Sequence, residues 1–191
     1  MLTSRSVTLA DLAERLSDLH GDALMVTEPR ATGKDRELTF SGAAQLVRKW
    51  SAAVTARSTL GEPVVIATAN TYDQLLLCLA VARAGRLPAP VNSQMSSAEI
   101  DHVVADSGAA LVIRDAIELN SGPGSRATPP PAATPEPHSI AALFYTSGTT
   151  GKPKGAALSH RALVGQVSSA AAWPGLLRRD ELVVALPVAH I

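Results

Sequence analysis

The 191 residues contain a single cysteine, Cys78, so no disulfide can close within one chain. It sits inside Leu75-Leu76-Leu77-Cys78-Leu79, where a buried thiol is expected rather than a nucleophile. Charge of one sign is lacking as well. Seventeen basic and seventeen acidic side chains give a formal net charge of +0, which offers no surplus to recruit nucleic acid or an anionic membrane. The longest apolar run, residues 75–82, is far short of a membrane span, and Met1-Leu2-Thr3-Ser4-Arg5 lacks the apolar centre of a signal peptide. The five histidines share no ligand-like spacing and no cysteine cluster joins them, so no transition-metal site is expected. What remains is a globular composition, 46% hydrophobic and 18% charged, of a length that suits one domain in the cytoplasm.

The most informative stretch is Tyr145-Thr146-Ser147-Gly148-Thr149-Thr150-Gly151-Lys152-Pro153-Lys154-Gly155, read as a loop that follows the apolar run 140–144. Three glycines let the backbone turn so that its N–H groups converge on an anion; hydroxyls add donors and two lysines add charge. This is chemistry for phosphate. It is not a Walker A loop, because Thr146 stands where that motif needs its first glycine and Pro153 follows Lys152 where a magnesium-binding hydroxyl is required.

Around this stretch the pattern is α/β. A helix over 9–19, capped by Thr8 and stopped by Gly21, leads to short strands at 23–26 and 37–40. A helix over 41–57 follows, with Leu46, Val47, Trp50 and Val54 on its inner face. Residues 64–113 then read strand 64–69, helix 72–84, strand 87–91, helix 97–107, strand 109–113. These βαβ units imply a mostly parallel sheet with helices on both faces. Ser96-Ser97-Ala98-Glu99 is a capping box, with Ile100, Val103 and Val104 turned inward. Residues 118–138 hold six prolines and read as a solvated, extended connector. Beyond the loop, a short strand at 156–158, a helix from Ser159 to Trp173 and a buried-type strand at 182–187 complete the pattern.

The run Tyr145 to Gly155, together with Ser159-His160-Arg161, resembles the phosphate loop of the adenylate-forming (AMP-binding) superfamily, which includes acyl-CoA synthetases, firefly-type luciferases and nonribosomal peptide adenylation domains. Ala69-Asn70, Arg83-Ala84-Gly85, Pro88-Ala89-Pro90-Val91-Asn92 and Asp106-Ser107-Gly108-Ala109 resemble the same superfamily independently. The resemblance implies a partial N-terminal domain of an adenylate-forming enzyme over residues 1–191. It implies ATP and Mg²⁺ as cofactors and coenzyme A as co-substrate. Thr146, Ser147, Gly148, Thr149, Thr150, Gly151, Lys152, Pro153 and Lys154 would hold the ATP phosphates. Pro187-Val188-Ala189-His190 resembles the Pro-x-x-His motif of acyl- and aryl-CoA ligases and places His190 in the acyl pocket. Amino-acid-activating relatives carry an aspartate in that neighbourhood, the expected partner for a substrate ammonium; here there is none, which favours a carboxylic acid, a fatty acid foremost, without an α-amine.

The resemblance covers only the first part of the family's length. The later Thr-Glu motif, the ribose-binding aspartate, the hinge and the C-terminal domain with its lysine have no counterpart here, so no residue takes a catalytic role. The expectation is a chain with little or no ligase activity alone, its sheet covered by a protein partner. A non-catalytic derivative that binds phosphate or a protein stays open beside the ligase reading, as does an amino-acid-activating domain. Of the other histidines, His20, His102 and His138 read as structural or solvated, and His160 as either locally hydrogen-bonded or catalytic.

Overall fold

The computed structural model describes residues 7–146 and 152–171. The end of the expected helix at 159–173 and the whole of the expected strand at 182–187 lie outside the described residues, as does His190. The chain runs α1 (Leu12–His20), β1 (Leu24–Glu28), β2 (Arg36–Thr39), α2 (Phe40–Thr55), β3 (Pro63–Ile66), α3 (Tyr72–Arg83), β4 (Leu87–Pro90), α4 (Ser97–Ser107), β5 (Leu111–Ile113), a 3-10 turn (Ala116–Asn120), β6 (Ile140–Thr146), β7 (Lys154–Ser159) and α5 (His160–Ala171). The expected parallel sheet is present, in the order β4-β3-β5, with Val64 facing Pro88 on one side and Leu111 on the other. The remaining strands pair as two antiparallel hairpins, β1 with β2 and β6 with β7.

Both faces of β3 are buried, which is why its sequence is apolar without alternation. Val64 and Ile66 join the cluster built by Val47, Trp50 and Val54 of α2 and Leu76, Leu77 and Ala80 of α3. Val65 turns to the other face, where Val103 of α4, Ala89 and Val91 meet it and Ile100 and Val104 pack alongside. All three β3 side chains are fully buried, worth roughly 1.5–3 kcal/mol apiece. The capping box opens α4 as expected, through Ser96 and Glu99, and Gly108 closes it in the left-handed conformation at φ 70°. Cys78 lies half-buried against the first cluster, and burial pushes its thiol up to about 12, so it stays protonated at neutral pH.

The outer edge of the sheet has a chemical cause. Leu87 and Val91 of the β4 segment donate towards β3, at 2.9 Å to Glu62 O and 3.0 Å to Ile66 O. Pro88 and Pro90 therefore turn their nitrogens outward, and a proline nitrogen cannot donate. Strand β6 accordingly lies close alongside β4 yet joins a separate sheet.

Three expectations are revised. Helix α1 begins at Leu12 rather than residue 9, because the Asp11 carboxylate takes the Thr8 N–H and hydroxyl and holds the residues between them as a turn. The return strand after the loop spans Lys154–Ser159 rather than 156–158. The proline-rich connector is not extended throughout, since it opens on the 3-10 turn and on turns and bends over 121–127, and it is strapped to the helices rather than free in solvent. Arg57 donates to the carbonyls of Glu118 and Ser121, and Arg83 donates to Pro130 O at 2.7 Å while its own carbonyl accepts from Ala133 N. Gly124 presses on α2 so closely, at φ 77°, that a Cβ there would come within 2.7 Å of Ala52 O.

His160 resolves to a structural role. It is buried at the start of α5, and its Nδ1 accepts the Leu9 N–H at 3.2 Å, fastening the N-terminal segment to the far end of the chain. Burial holds its pKa below the ordinary histidine value, with a small opposing pull from Asp11. The sign follows from linkage: the unfolded state binds the proton more readily, so stability is full above the unfolded pKa near 6.5 and is lost as pH falls towards the depressed folded value. His160→Gln, which retains an acceptor but cannot titrate, is expected to flatten the drop in melting temperature between pH 7 and pH 5. An unchanged slope in that variant would transfer the effect to other groups.

Candidate functional site

The ends of the glycine-rich stretch form the last rungs of the β6/β7 hairpin. Phe144 faces Ala156, Tyr145 faces Gly155, and Thr146 faces Lys154. Only residues 147–153 therefore connect the two strands, a shorter loop than the eleven residues of the motif. Gly155 has a steric reason to be glycine. The Tyr145 ring lies across it, and a Cβ at that position would sit 3.0 Å from the Tyr145 Cζ.

Strand alternation sorts the hairpin into two faces. Tyr145 and Leu143 pack into the cluster under α4. Thr146 and Lys154, one rung further out, take the opposite face and are exposed; Lys152 is exposed as well, and Pro153 between the lysines is buried. Neither lysine has an ion-pair partner among the described residues. The hairpin end thus presents a hydroxyl and two ammonium groups, with no carboxylate paired to the lysines among the described residues. Ser147, Gly148, Thr149, Thr150 and Gly151 lie outside the described residues, as does His190, so the geometry unites Thr146, Lys152, Pro153 and Lys154 only.

Helix α4 supports this end. His102 Nε2 lies 3.0 Å from Pro153 O, and the Tyr145 hydroxyl donates to Asp106 Oδ2 at 2.8 Å. Burial, then the hydrogen bond to the Asp106 carboxylate and its charge, push the Tyr145 phenol up to about 12. It remains a donor across the physiological range. His102 was read from sequence as structural or solvated. Its link to the loop runs over 51 residues of chain, and no local pattern carries that signal. The other two histidines of that group have their contacts elsewhere among the described residues: His20 stacks on Phe40 with ring centroids 4.6 Å apart, and His138 lies 3.4 Å from an Arg161 nitrogen.

No group of three or more His, Cys, Asp or Glu side chains among the described residues is arranged to hold a metal ion. No helix among them is long and apolar enough to cross a membrane. The arrangement can bind a polyanion: an exposed pair of cations, a hydroxyl beside them, and a stem held in register on a helix.

Comparison with known proteins shows the family. Residues 14–191 match the sequence profile of a family described as AMP-binding enzyme. The chain is 30% identical over 155 residues to a 4-chlorobenzoate–CoA ligase of Arthrobacter, covering 68% of this chain and 30% of that protein. It is 30% identical over 168 residues to the long-chain-fatty-acid–CoA ligase FadD15 of Mycobacterium bovis, covering 69% of this chain and 28% of the relative. The chain thus spans less than a third of the length of these curated relatives. Among solved structures, the o-succinylbenzoate coenzyme A synthetase of Bacillus subtilis in complex with ATP and magnesium ion superposes with a TM-score of 0.79 at 20% identity, over 93% of this chain and 51% of that one. At that identity the likeness speaks for the fold.

Proposed function

The chain belongs to the AMP-binding enzyme family, and from that membership we propose that it is the phosphate-binding part of an acid–CoA ligase, which activates a carboxylic acid, foremost a fatty acid, with ATP. The observation that carries the proposal is the hairpin end, where Lys152 and Lys154 stand exposed, without an ion-pair partner among the described residues, and Lys154 faces Thr146 on the family's own loop motif.

In the proposed reaction a carboxylate oxygen attacks the α-phosphorus of ATP, the bond from that phosphorus to the bridging oxygen breaks, and pyrophosphate leaves with the electron pair. The thiol of coenzyme A, giving up its proton, then attacks the acyl carbon; the acyl–sulfur bond forms as the bond to the phosphate oxygen breaks and AMP leaves. This chain's share is positional and electrostatic. Lys152 and Lys154 offset charge on the β- and γ-phosphates as it grows on the leaving pyrophosphate; Thr146, Ser147, Thr149, Thr150 and the loop amides donate to the phosphate oxygens. Mg²⁺, when bound, supplies further neutralisation of the same oxygens, and the donor set fits its arrival on the nucleotide, since the hairpin end offers cations and hydroxyls rather than carboxylates. The resemblance of Pro187-Val188-Ala189-His190 to the Pro-x-x-His motif supports an acyl-pocket role for His190, and the absence of an aspartate there supports a substrate without an α-amine.

The test is exchange of labelled pyrophosphate into ATP, driven by a panel of fatty, aryl and amino acids. Any exchange is expected to be weak, in keeping with little or no activity from the chain alone, and strongest with fatty acids. Stimulation by amino acids alone would overturn the substrate reading, and silence from folded protein that binds ATP would reduce the function to phosphate binding.

A further inference from the structure

We propose that α4 is the positioning element of the phosphate loop, with His102 gripping its descending end through the Pro153 carbonyl and Asp106 gripping its ascending end through the Tyr145 hydroxyl. The inference rests on the reading of residues 146–154 as a phosphate site and adds to it two residues outside the motif.

His102 and Asp106 are four residues apart on one helix, so they share a face. That face meets both stems of the hairpin at once, at 3.0 Å to Pro153 O and 2.8 Å from the Tyr145 hydroxyl. The helix that carries them is itself fixed. Its N-terminus is locked by the Ser96–Glu99 capping box, its C-terminus by Gly108, and its middle by Val103, which is fully buried. Without these contacts the outer rungs would rest on little else, since β7 has four exposed residues from Lys154 to Ala157.

Pro153 is the fitting handle. It has no N–H, so its carbonyl is the one backbone group it offers, and its ring is buried. The peptide group is planar and trans, so holding that carbonyl towards α4 turns the Lys154 N–H the other way. His102 must donate from Nε2 for this, which both the Nε2-protonated neutral ring and the imidazolium allow. On the other stem, the Asp106 carboxylate anchors Tyr145, whose ring in turn covers Gly155. The grip therefore reaches both lysines through the residues beside them: Pro153 lies between Lys152 and Lys154, and Gly155 follows Lys154.

The experiment measures amide hydrogen exchange at Lys152, Lys154 and Gly155 in the full chain, with ATP·Mg²⁺ affinity in parallel. His102→Ala is expected to speed exchange at these amides and to weaken ATP about fivefold, the effect of one ordinary hydrogen bond, while exchange within α4 stays unchanged. His102→Gln keeps a side-chain N–H at similar reach and is expected to restore both. Adding Tyr145→Phe to His102→Ala should release the loop further. Unchanged exchange in His102→Ala, or equal acceleration in the alanine and glutamine variants, would overturn the grip. Lys152→Ala separates the two claims: if it leaves ATP affinity intact, the phosphate reading fails, and the exchange data still decide whether His102 holds the loop.

Discussion

Replacing both Lys152 and Lys154 with alanine is expected to weaken ATP·Mg²⁺ binding about a hundredfold, the order set by two charge-assisted contacts to phosphate, with Lys152→Ala alone giving roughly tenfold. Both side chains are exposed and lack an ion-pair partner among the described residues, so their removal leaves no carboxylate stranded and should not disturb folding. Adenosine, which has no phosphates, should bind the double variant as it binds the parent chain. AMP should lose little, because the lysines are assigned to the β- and γ-phosphates. Exposed charges are screened by salt, so parental affinity should fall as ionic strength rises, with a shallower dependence in the variant. Isothermal titration of the three nucleotides at two salt concentrations checks all of this. Equal ATP affinity in parent and double variant would remove the lysines from the site.

The residues proposed for the site could be named from sequence because the chemistry is local. Three glycines, the hydroxyls and the two lysines occur within eleven residues, and their types alone specify an anion. Their posture was not readable. The pairing of Tyr145 with Gly155 and Thr146 with Lys154 converts four motif residues into strand, and this depends on Gly155 leaving room for a ring that approaches from the other strand. Between 63 and 113 every expected element is present, α3, β4 and α4 within a residue of their expected bounds, while β3 ends at Ile66 rather than 69 and β5 begins at Leu111 rather than 109. There the start and stop signals are local too: the Ser96 capping box, Gly108, and apolar strands short enough to be bounded by glycine and proline. Elsewhere local signals misled. Thr8 looked like a cap, yet its partner Asp11 became the residue from which α1 departs. His102 carries no mark of its role, because the partner that defines it lies on another element.

The connector is the sharpest case, and it supplies the second large effect: Arg83→Met is expected to destabilise the fold by about 3 kcal/mol, or roughly 6–12 °C in melting temperature. Proline, glycine and serine in 118–138 read as solvated chain because composition cannot register a long-range donor. Arg83 is that donor. Its side chain is only 7% exposed, and it bonds Glu14 of α1 at 2.6 Å, the Ser51 hydroxyl of α2 at 2.8 Å and the Pro130 carbonyl of the connector at 2.7 Å. One guanidinium therefore ties two helices and the strap to α3. Methionine fills similar space but leaves three acceptors unserved. The cost stays near the lower end for a broken buried pair because Glu14 is a quarter exposed and can regain water. Glu14→Gln should cost less than Arg83→Met, since Arg83 keeps Ser51 and Pro130 as partners. Arg83→Lys should fall between the parent and Arg83→Met, keeping the charge but losing the fork that spans three acceptors. If the strap is part of the domain, protease cleavage within 121–135 should accelerate in Arg83→Met at temperatures well below its melting point. Cleavage there at the parental rate would return the connector to solvent and leave Arg83 as a helix-to-helix tie alone.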